Sequence, residues 1–575
     1  VATVYVNVSI GNDANAGTSA APWKNPLKAD ASATAGDTVN TASGTYLSTD
    51  YAGAPTNYNF TKLLTYSAQT NGGVLIKGTN AFLIAALSSS LPTGSISFTG
   101  YVFDGADASQ VAFQINDPAA NTWALTQTSC TFKGGTVTNW YLPFPKGGTF
   151  STVDCTVSGS PGFYGMSGDG AMAASSALTI THTRPVFNLT SSAAISGIYQ
   201  NCTATTNAVS YTVNGATGTI STTGAATSVI GVKLQCPGAT IKNTNALIIS
   251  APDINSSSAY GLVVFPNLVN ISNPSITDNN LSFQAPGGYG IMLGDGSTTA
   301  TGTLTGGTVT GNRVYGKYYT PASLKTPHGI AIGRATTVTT FAGNYVESEY
   351  VNYIASIVTS GTGRGNISRD AYGCDFYAKG CTAWTWTGNT AIQTGKYPRI
   401  NLGPFSIDSQ SGVNTTATTF SFNTFICAET DFTRVGSLAN ISVNQNGTYT
   451  GNTYIVPDTW DTDTTPRFFV GGIEGGRSGA TGYTIDQWVS GTAGSVNPTN
   501  GTGTIAISSE VVIRMPIAAI RNMVANAGGA PFTYQNGNRY DSNGNLMVAY
   551  VAATTPYNYQ NGNKYDATGA LVIAP

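Results

Sequence analysis

Residues 5–46 read YVNVSIGNDANAGTSAAPWKNPLKADASATAGDTVNTASGTY. Val4, Val6 and Val8 alternate with other residues, the period of an extended chain, and place a first strand over Thr3 to Val8. Gly11-Asn12-Asp13 ends it, because glycine and asparagine tolerate the backbone angles of turns. Lys28 to Ala35 is alanine-rich and predicts one short helix, closed by Gly36-Asp37. Thr38 to Asn40 resumes extended structure, and Gly44-Thr45-Tyr46 predicts another turn. A short amphipathic helix at this place would shield the open end of stacked β-coils, whose unpaired backbone groups otherwise recruit other strands.

The rest of the 575-residue chain agrees with an all-β reading. Only 9% of residues are charged and 68 are glycine, whereas helical proteins of this size are richer in Glu, Lys, Arg and Leu. Its 30 Tyr, 22 Phe and 7 Trp argue against disorder. Net charge is −2 with no Lys/Arg cluster, which argues against nucleic acid as a partner. No run of apolar residues is long enough to cross a membrane as a helix. A near-neutral surface rich in Asn, Thr and aromatics suits sugars, which offer hydroxyls and apolar ring faces; it suits an inert shaft equally well.

From about Asn71 to Tyr454, short alternating patches such as Val74-Leu75-Ile76 and Ile330-Ala331-Ile332 recur between turns. Gly-Asn turns stand at Gly311-Asn312, Gly343-Asn344, Gly365-Asn366, Gly388-Asn389 and Gly451-Asn452. The first four are separated by 32, 22 and 23 residues, close to a three-strand coil with loops of varying length. Thr459 to Asn500 breaks this rhythm, as a lateral loop region or as the close of the stack, and Pro516 to Ala527 reads as a helix. The tail repeats itself: PFTYQNGNRYDSNGNLMVAY (531–550) and PYNYQNGNKYDATGALVIAP (556–575) share 11 of 20 positions. Asn536-Gly537 and Asn561-Gly562 mark hairpins. The expected segments are therefore 1–49, strand and cap; 50–455, coil body; 456–515, irregular β; 516–530, helix or linker; and 531–575, duplicated hairpins.

Gly11, Asp13, Gly17, Thr18, Pro22 and Trp23, followed by Ala35-Gly36-Asp37-Thr38 and Gly44-Thr45-Tyr46, resemble the N-terminal signature of the pectin-lyase-like family. The resemblance implies a right-handed parallel β-helix with a short N-terminal cap helix, ending here in small C-terminal β repeats. It specifies no activity, since that family includes lyases, hydrolases, epimerases, viral tailspikes and adhesins. The tail pattern resembles short repeats at the ends of bacteriophage structural proteins. Together they imply a virion appendage, tailspike- or fibre-like, that binds a host cell-surface polysaccharide and packs as a homotrimer beside other virion proteins. The resemblance also implies assembly in the host cytoplasm, with secretion as the alternative. A polysaccharide lyase or glycoside hydrolase, and a non-enzymatic shaft or adhesin, remain open.

The seven cysteines form no dense framework, so buried free thiols are expected, with Cys130 and Cys155 stacked on successive coils. No His/Cys cluster has the spacing of a metal site and no cofactor is expected. Asp458, Asp461 and Asp463 read as a solvated acidic turn, and His182 beside Arg184 as a locally bonded histidine.

Ionisable residues concentrate between His328 and Lys379. Glu347 and Asp370 are 23 residues apart, about one coil, which would put their side chains roughly 5 Å apart on neighbouring strands. Glu349 shares a face with Glu347 if no bulge intervenes. Such pairs serve glycosidases, whereas a lyase uses residues such as Lys379, Arg369, His328 or Tyr350 to remove a proton beside a carboxylate. The candidate catalytic set is Glu347, Asp370, Glu349, Asp375, Lys379 and His328. The candidate glycan contacts are Tyr350, Tyr372, Trp384, Trp386 and Arg369.

Overall fold

The computed structural model describes residues 1–527 except 81, 90, 106–110, 116–122, 136, 144–147, 161–163, 170–177, 202–208, 224–227, 252–258, 267–269, 295–301, 320–324, 399–401, 431–436, 443, 463, 473–478 and 491–503; of the tail it describes 533–535, 538–540, 546–548, 558–560, 563–565 and 571–573. Residues 1–521 form one compact unit and 522–575 another.

In the first unit, successive strands pass in rotation through three sheets, A, B and C. One coil runs Thr38–Thr41 in A, Gly44–Leu47 in B and Tyr58–Phe60 in C before returning to A at Thr65–Ala68. Neighbouring coils pair in parallel, as Thr38↔Thr65, Gly44↔Val74 and Tyr58↔Ala85 illustrate. Parallel neighbours need a long return path, and each coil's other two strands supply it. The body is a parallel β-helix.

The N-terminal motif builds the first cap. Trp23 forms a parallel bridge with Val6 of the first strand. Its N–H donates to Tyr5 O (2.9 Å), and Asn7 N–H donates to its carbonyl (2.8 Å). Asp13 Oδ1 accepts from the N–H groups of Lys24 (2.8 Å) and Asn25 (3.1 Å). Gly17 has φ 76°, and a Cβ there would lie 2.6 Å from the Trp23 ring. The helix spans Pro26–Ser32, earlier than Lys28 to Ala35, because Asn25 caps it at Leu27 N–H and Pro26 opens its first turn. Gly44–Leu47 is a strand rather than a turn.

The helix also runs past residue 455. Phe468–Gly472 extends sheet C, Ile505–Ser508 extends A and Val511–Met515 extends B. The segment read as irregular contributes the last coil, hidden in the sequence because a connection of about thirty residues separates two of its strands. The helix expected at Pro516 to Ala527 is present over Ile517–Ala527.

At the corner from A to B, a left-handed residue is followed by one that points inward. The left-handed position is Ser129, Asp154 or Arg184 in early coils and Gly311, Gly343, Gly365, Gly388 or Gly451 in late ones. Cys130 and Cys155 are inward residues there, fully buried and free as thiols. From Asn279 onward the inward position is asparagine: Asn279, Asn312, Asn344, Asn366, Asn389, Asn423 and Asn452. Each side-chain amide donates to the next asparagine's Oδ1 at 2.8–2.9 Å, and each backbone N–H donates to the same oxygen. The column ends at Glu510, whose Oε1 accepts from Asn452 N (3.0 Å) and Nδ2 (2.9 Å). Its other oxygen accepts from Tyr454 OH at 2.8 Å.

A glycine column crosses sheet C. The register sets Gly197, Gly231, Gly261, Gly290 and Gly329 opposite one another. A Cβ on Gly261 would lie 2.1 Å from Gly290 O, and the same close approach to the next coil's carbonyl repeats at Gly231 and Gly290.

In the second unit, Thr533–Gln535, Asn538–Tyr540 and Leu546–Val548 form an antiparallel sheet, and Asn558–Gln560, Asn563–Tyr565 and Leu571–Ile573 form its copy. Gln535 pairs with Asn538 and Gln560 with Asn563, the two-residue spacing expected for hairpins. The Asn-Gly pairs themselves lie outside the described residues.

Candidate functional site

The outer face of sheet C carries a cleft of about 360 Å³, within the size range of small-molecule sites. Four consecutive coils supply it: Tyr289 and Met292, then His328 and Ala331, then Val351 and Ile354, then Tyr377 and Lys379, with Leu402, Asp408 and Gln410 beyond. Register explains the convergence. Met292, Ala331, Ile354 and Tyr377 are paired one above another, as are Tyr289, His328, Val351 and Cys374.

The polar end is tied together. Tyr377 OH donates to Asp408 Oδ2 at 2.7 Å, Ser409 N–H donates to Oδ1 at 2.8 Å, and Lys379 Nζ stands 3.8 Å from Oδ2. Burial, reinforced by Asp408, pushes the Tyr377 phenol well above its ordinary pKa. His328 stacks on Tyr289 with centroids 4.9 Å apart, and Tyr289 on Tyr260 at 5.9 Å. Burial, then the charge of Lys379, lowers the His328 pKa to about 4, so its imidazole is neutral near pH 7. Its Nδ1 is buried without a hydrogen-bond partner among the described residues.

Of the residues expected from sequence, His328, Lys379 and Tyr350 line this cleft. Glu347 does not face Asp370: it pairs with Arg369, and Asp370 is the next residue, turned into the corner with φ 50°. There Asp370 is buried and accepts from Thr394 N–H and Oγ, both at 2.8 Å. Arg369 Nε lies 3.8 Å from its carboxylate. Glu347 accepts from Tyr345 OH (2.7 Å) and stands 3.9 Å from Lys396 Nζ. Asp375 is enclosed in the core and bonded to Ser368. Tyr372 is fully buried, and so are Trp384 and Trp386, which pack on each other and on Phe341. Those two indoles fill the core rather than a surface platform, because the small residues Ala383, Thr385 and Thr387 take the outer face of their strand.

Glu349 does not share a face with Glu347. The strand ends at Glu347, Ser348 is left-handed (φ 65°), and Glu349 turns inward. It is fully buried with neither oxygen hydrogen-bonded among the described residues, and burial raises its pKa well above the ordinary range. A raised folded pKa contributes stability below the unfolded value that is lost as pH rises through the folded one. Glu349→Gln is therefore expected to melt progressively higher than wild type above the ordinary carboxyl range. Parallel melting curves for the two proteins from pH 4 to 8 would refute this.

Sequence reading did not assign Asp408 or Tyr377 to the site. Their signal was parity: Tyr377 and Lys379 alternate outward, and Asp408 ends the strand of the following coil. His182, by contrast, is the locally bonded histidine expected, between Thr152 Oγ and Tyr211 OH, both at 2.8 Å, with burial lowering its pKa to about 3. Asp458 is exposed at the start of a 3-10 turn that buries Trp460, and Asp463 lies outside the described residues.

No family model matches the chain, and no curated protein matches it. Among solved structures it is similar to a GH136 lacto-N-biosidase from Eubacterium ramulus in its selenomethionine form, at 11% identity and TM-score 0.28 over 74% of this chain and 67% of that one. The native form matches at 10% identity and TM-score 0.20, over 89% and 68%. A rhamnogalacturonan lyase matches at 12% identity and TM-score 0.14, over 85% and 90%. Superpositions this loose carry no argument about activity.

Proposed function

We propose that this protein is a virion appendage that binds a host cell-surface polysaccharide in the sheet C cleft. The observation that carries the reading is the cleft itself, where polar groups of Lys379, Asp408 and Gln410 stand over an apolar floor. Sugars present that same mixture of hydroxyls and apolar faces. Hydrolysis by paired carboxylates is disfavoured, because Asp408 is the single acid among the described lining residues. Elimination is the second reading, favoured by a neutral His328 beside the Lys379 cation. The phage assignment rests on the resemblance of the tail repeats.

A panel of bacterial surface polysaccharides, read together for retention and for new reducing or unsaturated ends, tests both readings. Retention without new ends is expected; unsaturated ends would favour the lyase, and no retention would reject the site. The homotrimer rests on the duplicated tail, whose three-stranded sheets are too small to bury a core alone. Light scattering is expected to give a trimer for the full chain and a smaller species after deletion of 531–575. A monomeric full chain would end that proposal.

A further inference from the structure

The cleft's charge balance and floor narrow what it takes. Resting on the glycan-site reading above, we propose that the cleft selects an uncharged, acetylated sugar, with the acetyl methyl on the aliphatic floor and the acetyl carbonyl accepting from Lys379. Lys379 is the single cation among the described lining residues, and Asp408 stands 3.8 Å from its Nζ. That opposing charge leaves no net positive field for a uronate carboxylate. At 3.8 Å the pair is an ion pair without a hydrogen bond, so the ammonium keeps N–H donors to offer. Asp408 is itself committed to Tyr377 OH and Ser409 N–H.

The stacked aromatic groups do not provide the usual platform, and of the other aromatic lining residues the Tyr377 ring faces Lys379 Nζ, 5.3 Å from its centroid, while Tyr350 packs at 59° to Tyr372. Tyr260, Tyr289 and His328 stack along successive coils, 15–16° from parallel, so their faces cover one another and a pyranose ring cannot lie flat between them. What the cleft offers instead is a small aliphatic floor of Met292, Ala331, Ile354 and Leu402. A methyl group suits that floor, and an adjoining carbonyl or amide suits Lys379 and Gln410. A bare hexose would leave the floor facing hydroxyls.

The test uses the full chain and four probes: N-acetylated chito-oligosaccharides, their de-N-acetylated counterparts, cello-oligosaccharides and oligogalacturonates. Saturation-transfer NMR is expected to show its strongest signal at the acetyl methyl. Titration is expected to rank the acetylated oligomers roughly tenfold or more tighter than the others, the scale of one small apolar group in a fitted pocket. Ala331→Leu, which fills the floor, and Lys379→Met, which removes the donor, should each abolish that preference. Their melting curves check that folding is intact. No binding of the acetylated oligomers, or equal or tighter binding of the plain or charged ones, overturns acetyl selection. Retention of another glycan on the polysaccharide panel would then leave the cleft as a glycan site; no retention anywhere would remove both.

Discussion

Asn389→Leu is expected to destabilise the β-helix on the order of 4 kcal/mol, although it exchanges one buried side chain for another of similar size. Asn389 Oδ1 accepts from Asn366 N and Nδ2, both at 2.9 Å, and its Nδ2 donates to Gly363 O and Asn423 Oδ1, also at 2.9 Å. Leucine supplies none of these, and the groups left behind sit in the core where water cannot replace them. Each buried orphan costs roughly 1–3 kcal/mol. Asn389→Asp keeps the acceptor but sets a carboxylate against Asn423 Oδ1, so it should rescue little. A large β-helix is apt to unfold irreversibly, so the appropriate measurement is the thermal inactivation rate at fixed temperature. Leucine and wild-type proteins inactivating at the same rate would show that the column contributes nothing.

Gly261→Ala is expected to be comparably severe, for a different reason. Its added Cβ would meet Gly290 O at 2.1 Å, a backbone atom held by the next coil, and Leu281 at 2.8 Å. Overpacking costs typically about 1–3 kcal/mol where side chains can adjust, and a backbone carbonyl in a parallel ladder has less freedom. Gly343→Ala provides the contrast. Gly343 has φ 66° but no atom within 4 Å of where a methyl would stand, so alanine incurs conformational strain alone, about 1–2 kcal/mol. If the two variants melt together, steric exclusion along the glycine column is wrong.

These two columns also show what is readable in the sequence. Gly-Asn pairs are legible as turns because glycine announces a left-handed residue. Asp278-Asn279 and Phe422-Asn423 make the same corner with no glycine, at φ 56° and 54°, and so carry no such signal. That the asparagines point inward and bond to each other is not legible, since it depends on coil register rather than on neighbours in sequence. The same limit misplaces the candidate carboxylates. Glu347 and Asp370 are 23 residues apart, but the coil there repeats at 22 (369 − 347), so Glu347 meets Arg369, and Asp370 falls one residue further on at the left-handed corner. Trp384 and Trp386 are legible as sharing a face; that this face is the inside follows from the small residues between them. The region from His328 to Lys379 stands out because charge is scarce elsewhere, and the cleft draws on its consecutive coils.

The asparagine column has a direction. Side-chain amides alone could run in either of two ways, but here each column backbone N–H also donates to the next Oδ1, and each Nδ2 reaches a backbone carbonyl, as Asn312 Nδ2 does to Ile276 O at 2.9 Å, so the backbone favours one of them at every step. Glu510 accepts from Asn452 and has no proton to give when ionised, so it admits one of the two. At the far end, Thr244 N–H donates to Asn279 Oδ1 and demands the same orientation. Turning over a single amide in between would set oxygen against oxygen on one side and N–H against N–H on the other. Seven side chains thus point one way, each held by backbone groups as well as by its neighbours, so a turned amide is opposed where it stands and the column carries a polarity along the whole row.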